Sequence, residues 1–376
     1  MTRQISALFL SLVLLASCKV QSPEQAKTNQ AGEPPRLNLF YVNDLQGEID
    51  VCGCPSRKMG GIARRAKFIQ RFVELKEQVI QVDSGDSFFA YHPPNVQPSE
   101  EEKQKAIVIA KGSAKLNVDA INVGLFDLSA GLDFLNELKA QAREYGELNL
   151  ISSNLVNTNT NKPVFPTEKI VERSGVKIGI FGLCRESPDL GPNLIALPPK
   201  NMAEIMVKRL KKTQKVDLII GLFNLGLAES KSIAMDVPGI DIIVVSGYPQ
   251  TLSAPELVNQ TIIFQAGAGG KLLGQIEIDY YRGKKPEYMD KELSRVGKEL
   301  ERVNNLMKEL EPKLQTDASS KNRYEQLKVE KEIYERKLKE LKTLPFNYKY
   351  ALVPLDQNLP LDPQIDNWVR QAMKNN

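Results

Sequence analysis

The sequence predicts an α/β fold in which two mixed β-sheets pack face to face with helices on the outside. Three observations carry that prediction. Short apolar runs recur between residues 36 and 284, separated by segments of helical period. Several runs close in a polar pair or a glycine, as at Asn43-Asp44, Gly85-Asp86 and Gly124, where α/β sheets present chemistry at strand carboxyl ends. Helices interleave with strands early and strands dominate later, which suggests a sandwich rather than separate α and β halves.

The chain has 376 residues, of which 42% are hydrophobic, enough for one large core or two ordinary ones. Its formal charge of +4 is mild, and basic and acidic residues are interspersed, so no nucleic-acid footprint appears. Residues 1–17 read as a signal peptide, with Arg3 ahead of an apolar run from Leu8 to Leu15. That run is shorter than the roughly 20 apolar residues of a membrane-spanning helix. Leu15-Ala16-Ser17-Cys18 is similar to a bacterial lipobox, which makes Cys18 the lipidated first residue of the mature protein. Residues 18–35, rich in Pro, Gln and Gly, read as a tether. The expectation is a lipoprotein anchored to a membrane of the bacterial cell envelope, facing periplasm or exterior. Export would place Cys52, Cys54 and Cys184 in an oxidising compartment.

The domain at 36–284 opens with Leu37 to Val42, a buried strand ending at Asn43-Asp44. A loop carrying Cys52-Gly53-Cys54-Pro55 follows, then Gly60-Gly61 and a helical pattern through Ile69. Gln78 to Asp83 reads as a strand ending in Gly85-Asp86, where glycine allows a tight turn and a carboxylate is presented. Ala120 to Gly124 is another strand, followed by Leu125-Phe126-Asp127. Helix is expected at 132–145 and 201–213, and strand at 148–152, 176–183, 216–222, 240–246, 261–266 and 272–279.

From Lys285 the period changes. Leu293, Val296, Leu300, Val303, Met307, Leu310 and Leu314 recur at spacings of 3 and 4 among Glu and Lys. Thr316 to Lys321 reads as a turn, and Tyr324, Leu327, Tyr334, Leu338 and Leu341 form a second stripe. A helical hairpin over 285–344 is expected, its arms either packing on each other or, over 288–343, engaging a protein partner. Residues 345–376 read as a strand and a helix that return to the main domain.

The strand tips, taken in order, resemble the calcineurin-like metallophosphoesterases, and more narrowly the periplasmic 5′-nucleotidase and UDP-sugar hydrolase family. The matching segments are Asn43-Asp44-Leu45-Gln46-Gly47, Gly60-Gly61-Ile62-Ala63-Arg64, Gly85-Asp86, Gly124-Leu125-Phe126-Asp127, Asn224-Leu225-Gly226 and Gly247-Tyr248-Pro249-Gln250-Thr251, within residues 36–282. The resemblance implies a four-layer α/β/β/α sandwich. It also implies a pair of metal ions that polarise a phosphate and activate water. Carried over position by position, Asp44 stands at the first Asp and Asp86 at the bridging Asp. Gln46, Asn224 and Tyr248 stand where imidazoles are expected, Leu125 and Phe126 stand in place of an Asn-His pair, and Gln250 stands at a final ligand position. The only histidine, His92, lies in a loop outside every motif and reads as solvated. Asp44, Gln46, Asp86 and Gln250, with Asn224 beside them, suit at most one weakly held Mg²⁺, Mn²⁺ or Ca²⁺, whereas a tight zinc or iron pair wants histidine.

The loop Cys52-Gly53-Cys54-Pro55 resembles that of a subgroup of these proteins, some of them fused to multihaem cytochrome domains. No Cys-x-x-Cys-His haem site exists in this chain. Three readings stay open: a strained Cys52–Cys54 bridge, a structural bridge from either to Cys184, or a thiolate ligand to a metal or a haem iron. Arg57, Lys58, Arg64 and Arg65 would lower a thiol's pKa or bind an anion. The expected function is therefore a lipid-anchored, degenerate phosphoesterase-fold protein acting by ligand or partner binding. The alternatives are weak metal-dependent hydrolysis of a phosphoester or nucleotide, and thiol redox chemistry at Cys52 and Cys54.

Overall fold

The structure, a computed structural model, describes residues 34–54, 57–93, 96–281 and 291–374, with the side chains of 52–54, 57, 291 and 292 outside that set. The expected signal peptide, Cys18 and most of the tether therefore lie outside the described residues. The first half of the chain holds β1 (Arg36–Val42), β2 (Val51–Cys54), β3 (Arg57–Gly60), α1 (Ile62–Glu74), β4 (Val79–Asp83), α2 (Glu100–Lys115), β5 (Ala120–Asn122) and α3 (Gly131–Ala142). Next come β6 (Leu150–Ile151), β7 (Leu155–Asn157), β8 (Lys162–Pro163), β9 (Glu168–Arg173), β10 (Val176–Cys184), β11 (Leu194–Ala196), α4 (Pro199–Arg209), β12 (Leu218–Asn224) and α5 (Leu227–Asp236). The rest holds β13 (Ile242–Ser246), β14 (Glu256–Val258), β15 (Thr261–Phe264), β16 (Leu272–Tyr280), α6 (Lys291–Leu310), α7 (Ala318–Thr343), β17 (Phe346–Pro354) and α8 (Pro363–Lys374).

Two six-stranded mixed sheets form the sandwich, in the orders β17-β16-β1-β4-β5-β6 and β14-β15-β13-β12-β10-β9. Side-chain alternation divides β1 between two cores. Leu37, Leu39 and Tyr41 face the second sheet and meet Ile178, Ile220, Val244 and Phe264, whereas Phe40 and Val42 face the helices. Outside the first sheet, Ile62, Ala66 and Ile69 of α1, Ile109 of α2, Leu135 of α3 and Ile365 of α8 close one apolar layer. Outside the second, Ala203 and Met206 of α4 and Ile233 of α5 close another against Phe181, Ile219 and Ile243. The layers are thus helix, sheet, sheet, helix.

Parallel pairing aligns the strand tips at one end. Val42 of β1 is level with Asp83 of β4, and Cys184, Asn224 and Ser246 are level across β10, β12 and β13. The expected strands and helices are present with shifted ends, and β9 is an element the apolar pattern misses. Its sequence Glu-Lys-Ile-Val-Glu-Arg is charged because it is an edge strand. The helix expected over 201–213 ends in a π-turn at 210–214, stopped by Lys215 at φ 52°.

The two hairpin arms pack on each other through Val303, Met307 and Leu327, and Arg302 pairs with Glu330 across them. Their base is not separate from the domain, since Val296 and Leu341 are buried in the core between the sheets. The expected turn at 316–321 lies instead between Leu310 and Ala318. Asp317 accepts from the Ser319 and Ser320 amides and so starts α7 directly.

Strand β17 then pairs antiparallel with β16 along its whole length, and α8 docks on α1 and α2. Asp362 fixes that docking. Its carboxylate takes Lys115 Nζ at 2.7 Å and caps α8 through the Ile365 and Gln364 amides. Burial would raise its pKa, but the bonds from Lys115 and those amides outweigh burial and lower it. A depressed folded pKa stabilises above the unfolded value and is lost as pH falls through the folded one. Asp362→Ala is expected to cost about 1–2 kcal/mol at pH 7 in urea denaturation, a deficit that shrinks below about pH 4.

Candidate functional site

Asp44 and Asp86 lie just past β1 and β4 in left-handed backbone, at φ 49° and 55°. That geometry lets the two tip loops zip together, the amides of Asp44, Gln46 and Gly47 donating to the carbonyls of Gly85, Asp86 and Ser87 at 3.0 Å each. Both carboxylates are completely buried. Asp44 Oδ1 accepts from the Gly247 amide at 2.8 Å, and Oδ2 from Asn43 Nδ2 at 2.9 Å. Asn43 in turn ties Ala266 and Gly267 to the tip.

Asp86 Oδ1 accepts from the Phe126 amide at 2.8 Å, while Oδ2 has no hydrogen-bond partner. Asp127, in the same buried cluster, plays a scaffolding part. Its carboxylate accepts from four backbone amides, those of Asp86, Ser87, Phe88 and Gly124, at 2.7–2.9 Å. One side chain thereby holds the Asp86 loop against the Gly124 turn. Only glycine fits at 124, where a Cβ would stand 2.3 Å from Asp86 Oδ1.

Four carboxylates so close in a buried site resist ionisation. Burial pushes Asp44 up to about 7, against hydrogen bonds from Asn43 and Gly247 and with help from the neighbouring Asp86. Burial pushes Asp83 up to about 6, against its hydrogen bonds and Arg65. Burial also raises Asp86, opposed first by Arg185, and raises Asp127, with Asp86 adding to the effect.

Arg185 is the residue that sequence reasoning missed. It follows Cys184 at the tip of β10, and its backbone amide donates to the Asn224 carbonyl at 3.1 Å. Its Nη1 donates to the Gly247 carbonyl at 3.0 Å and reaches Asn224 Oδ1 at 3.5 Å. Nη2 stands 3.7 Å from Asp86 Oδ2. The guanidinium lies 4.8 Å from the Phe126 ring centre and 5.4 Å from that of Tyr248. Asn224 is further held by the Leu125 amide and by Ser246, whose hydroxyl donates to the Ser84 carbonyl.

The structure brings Asp44, Asp86 and Asn224 together. Gln46 is half-buried beside them, and Gln250 stands exposed on the loop after Tyr248. Among the described residues no group of three or more His, Cys, Asp or Glu side chains is arranged to hold a metal ion. The pair of metal ions that the sequence resemblance implies does not fit these residues. Both Asp44 oxygens are engaged by donors, and a guanidinium stands beside both Asp86 and Asn224.

The basic residues proposed for an anion are placed otherwise. Arg65 is 4% exposed, beneath the sheet near Asp83, and Arg64 is 9% exposed and donates to Asp50 and the Gly60 carbonyl. Neither offers its head to an external anion, because the period of α1 turns both toward the interior. The Arg57 side chain lies outside the described residues.

Cys184 is a free, fully buried thiol packed with the apolar core, and burial raises its pKa. Its inward position explains why it does not bridge to the β2 loop. Cys52 and Cys54 lie on β2, paired with Met59 and Arg57 of β3, and their side chains are outside the described set. Residues two apart on an extended strand have Cα atoms about 6.6 Å apart, near the upper limit for a disulfide. His92 is not simply solvated. Its Nδ1 meets the Ala90 carbonyl at 2.9 Å and its Nε2 lies 3.0 Å from Glu102.

Because Asp127 answers four buried amides, Asp127→Ala is expected to destabilise the fold by more than about 3 kcal/mol in urea denaturation. A loss under about 1 kcal/mol would mean the tip loops are held elsewhere.

No protein-family model matches the chain. Over 362 residues it is 26% identical to a 5′-nucleotidase of Vibrio vulnificus, a match that covers 86% of this chain and 60% of that one. In structure it is similar to the 5′-nucleotidase precursor from Thermus thermophilus, with a TM-score of 0.62 and 18% identity, covering 90% of this chain and 59% of that one. It is also similar to the calcineurin-like phosphoesterase YfkN from Bacillus subtilis, with a TM-score of 0.58 and 15% identity, covering 91% and 98%. The chain spans 60% or less of the length of the 5′-nucleotidases named here. In fold, and in sequence over most of its length, the chain is similar to 5′-nucleotidases and calcineurin-like phosphoesterases.

Proposed function

We propose that this protein has given up two-metal phosphoester hydrolysis and acts by binding, as a phosphoesterase-fold protein of the bacterial cell envelope. One observation carries the reading. Arg185 stands among Asp86, Asn224 and the Gly247 carbonyl, and Phe126 and Tyr248 flank it. Hydrolysis of this kind needs a metal-activated water and a second cation facing the leaving group. A guanidinium has no open coordination position and cannot lower the pKa of a bound water as a metal does. Imidazoles are also absent from the tips.

The envelope part of the reading rests on the leader and on Cys18, which would carry the lipid. No helix among the described residues is long and apolar enough to cross a membrane. The hairpin 288–343 would engage a protein partner in this reading, which the exposed Val329 and Ile333 of α7 support.

A second reading, weak hydrolysis of a phosphoester or nucleotide with one divalent cation, draws on a single feature. Asp86 Oδ2 is buried without a hydrogen bond, and Asp44 is a close charged neighbour. One Mg²⁺, Mn²⁺ or Ca²⁺ would then lie toward Asp44, Gln46 and Gln250.

Turnover of bis(p-nitrophenyl) phosphate and of a nucleoside monophosphate, with and without Mn²⁺, separates the two. The expected result is that wild type and Asp86→Asn are equally inactive above background. Metal-dependent turnover that disappears in Asp86→Asn would establish the second reading and remove the first.

A further inference from the structure

Three oxygens converge on one cationic head at the tips of β10, β12 and β13. The Gly247 carbonyl lies 3.0 Å from Arg185 Nη1, Asn224 Oδ1 lies 3.5 Å from the same nitrogen, and Asp86 Oδ2 lies 3.7 Å from Nη2. A carboxylate, a side-chain amide oxygen and a backbone carbonyl are the oxygen types that a hard divalent cation takes as ligands. Asp86 Oδ2 points to a charge-compensating role there, being completely buried with no hydrogen-bond donor on it. An uncompensated carboxylate is too costly to keep in such a place.

The surroundings are fitted to the guanidinium. Phe126 and Tyr248 present ring faces to it, which suits a weakly hydrated planar cation and not a small, strongly hydrated one. Gly247, at φ 99°, leaves the room that Nη1 uses, since a Cβ there would stand 2.5 Å from that nitrogen. Gly226 leaves the room for Tyr248, whose ring would meet a Cβ at 2.4 Å. The arginine's own backbone is pinned to Asn224, so the head is delivered from a rigid strand end.

We propose that Arg185 is the resident cation of this site, and that it excludes a divalent ion which Asp86, Asn224 and the Gly247 carbonyl would otherwise hold. The inference rests on the reading of the protein as one without two-metal chemistry, and it names the side chain that took the ion's place. The charge of Asp86 is then satisfied at every metal concentration, so the fold at the tips does not depend on loading.

Isothermal titration of the purified full chain with Mn²⁺, paired with thermal melting, tests this. Arg185→Ala and Arg185→Gln are each expected to bind one Mn²⁺ at least ten-fold more tightly than wild type. Adding Asp86→Asn to Arg185→Ala is expected to abolish that gain. Should Arg185→Ala be too unstable to titrate, Mn²⁺ is expected to raise its melting midpoint toward that of wild type, and choline chloride of equal ionic strength is not. The proposal is overturned if neither variant binds Mn²⁺ more tightly than wild type, if the gain survives Asp86→Asn, or if an unstable Arg185→Ala gains nothing from Mn²⁺. A wild type silent in phosphoester turnover, with no gain in the variants, would remove this inference alone. Turnover by wild type would instead remove the reading it rests on.

Discussion

The strand tips depend on how the charge of the buried Asp86 is met. Its carboxylate is wholly buried, one oxygen on the Phe126 amide and the other facing Arg185. Asp44, Asp83 and Asp127 crowd it with like charge. A cluster of that kind is stable only with a cation inside it or with protons on some of its members. This chain supplies the cation covalently. The rest of the site follows: an acceptor at Asn224, two rings at Phe126 and Tyr248, and a glycine at 247 where the guanidinium passes.

The fold makes this possible by bringing distant stretches level. Parallel register sets the end of β10 beside the ends of β12 and β13, so that Arg185, Asn224 and Gly247 meet although far apart in sequence. The other sheet delivers Asp44 and Asp86 from β1 and β4. Asp127 then locks the loop bearing Asp86, and Asn43 locks the loop bearing Asp44. These supports are directional hydrogen bonds to backbone, which fix a loop without needing a large apolar contact. The hairpin and α8 are tied to the domain elsewhere, the first through Val296 and Leu341, the second through Asp362.

Much of this was legible in the sequence because strands and helices leave periodic traces. Alternation in Leu37 to Val42 and the continuous apolar runs ending near Cys184, Asn224 and Ser246 identify the sheets, and Asp44 and Asp86 stand where strand ends predict. Arg185 was not legible, because its partners are set by register between strands and no local motif marks it. One signal was available: Asp86 without histidine neighbours requires another cation at a strand tip. The inward position of Arg65 could also be read, since it falls three residues after Ile62 and four before Ile69 on the buried stripe of α1. Asp317 ahead of Ala318-Ser319-Ser320 likewise marks a helix start, which a reading of the segment as a plain turn overlooked. The behaviour of Cys52 and Cys54 depends on side chains in a short hairpin whose strands carry no periodic signal.

The central claim is that a guanidinium occupies the ion's place, and crystals soaked in Mn²⁺ address it most directly by anomalous scattering. The account predicts Arg185 density beside Asp86 and Asn224, with no anomalous peak there at saturating Mn²⁺. A peak bridging Asp86 and Asn224, with the Arg185 side chain displaced from between Phe126 and Tyr248, would contradict it.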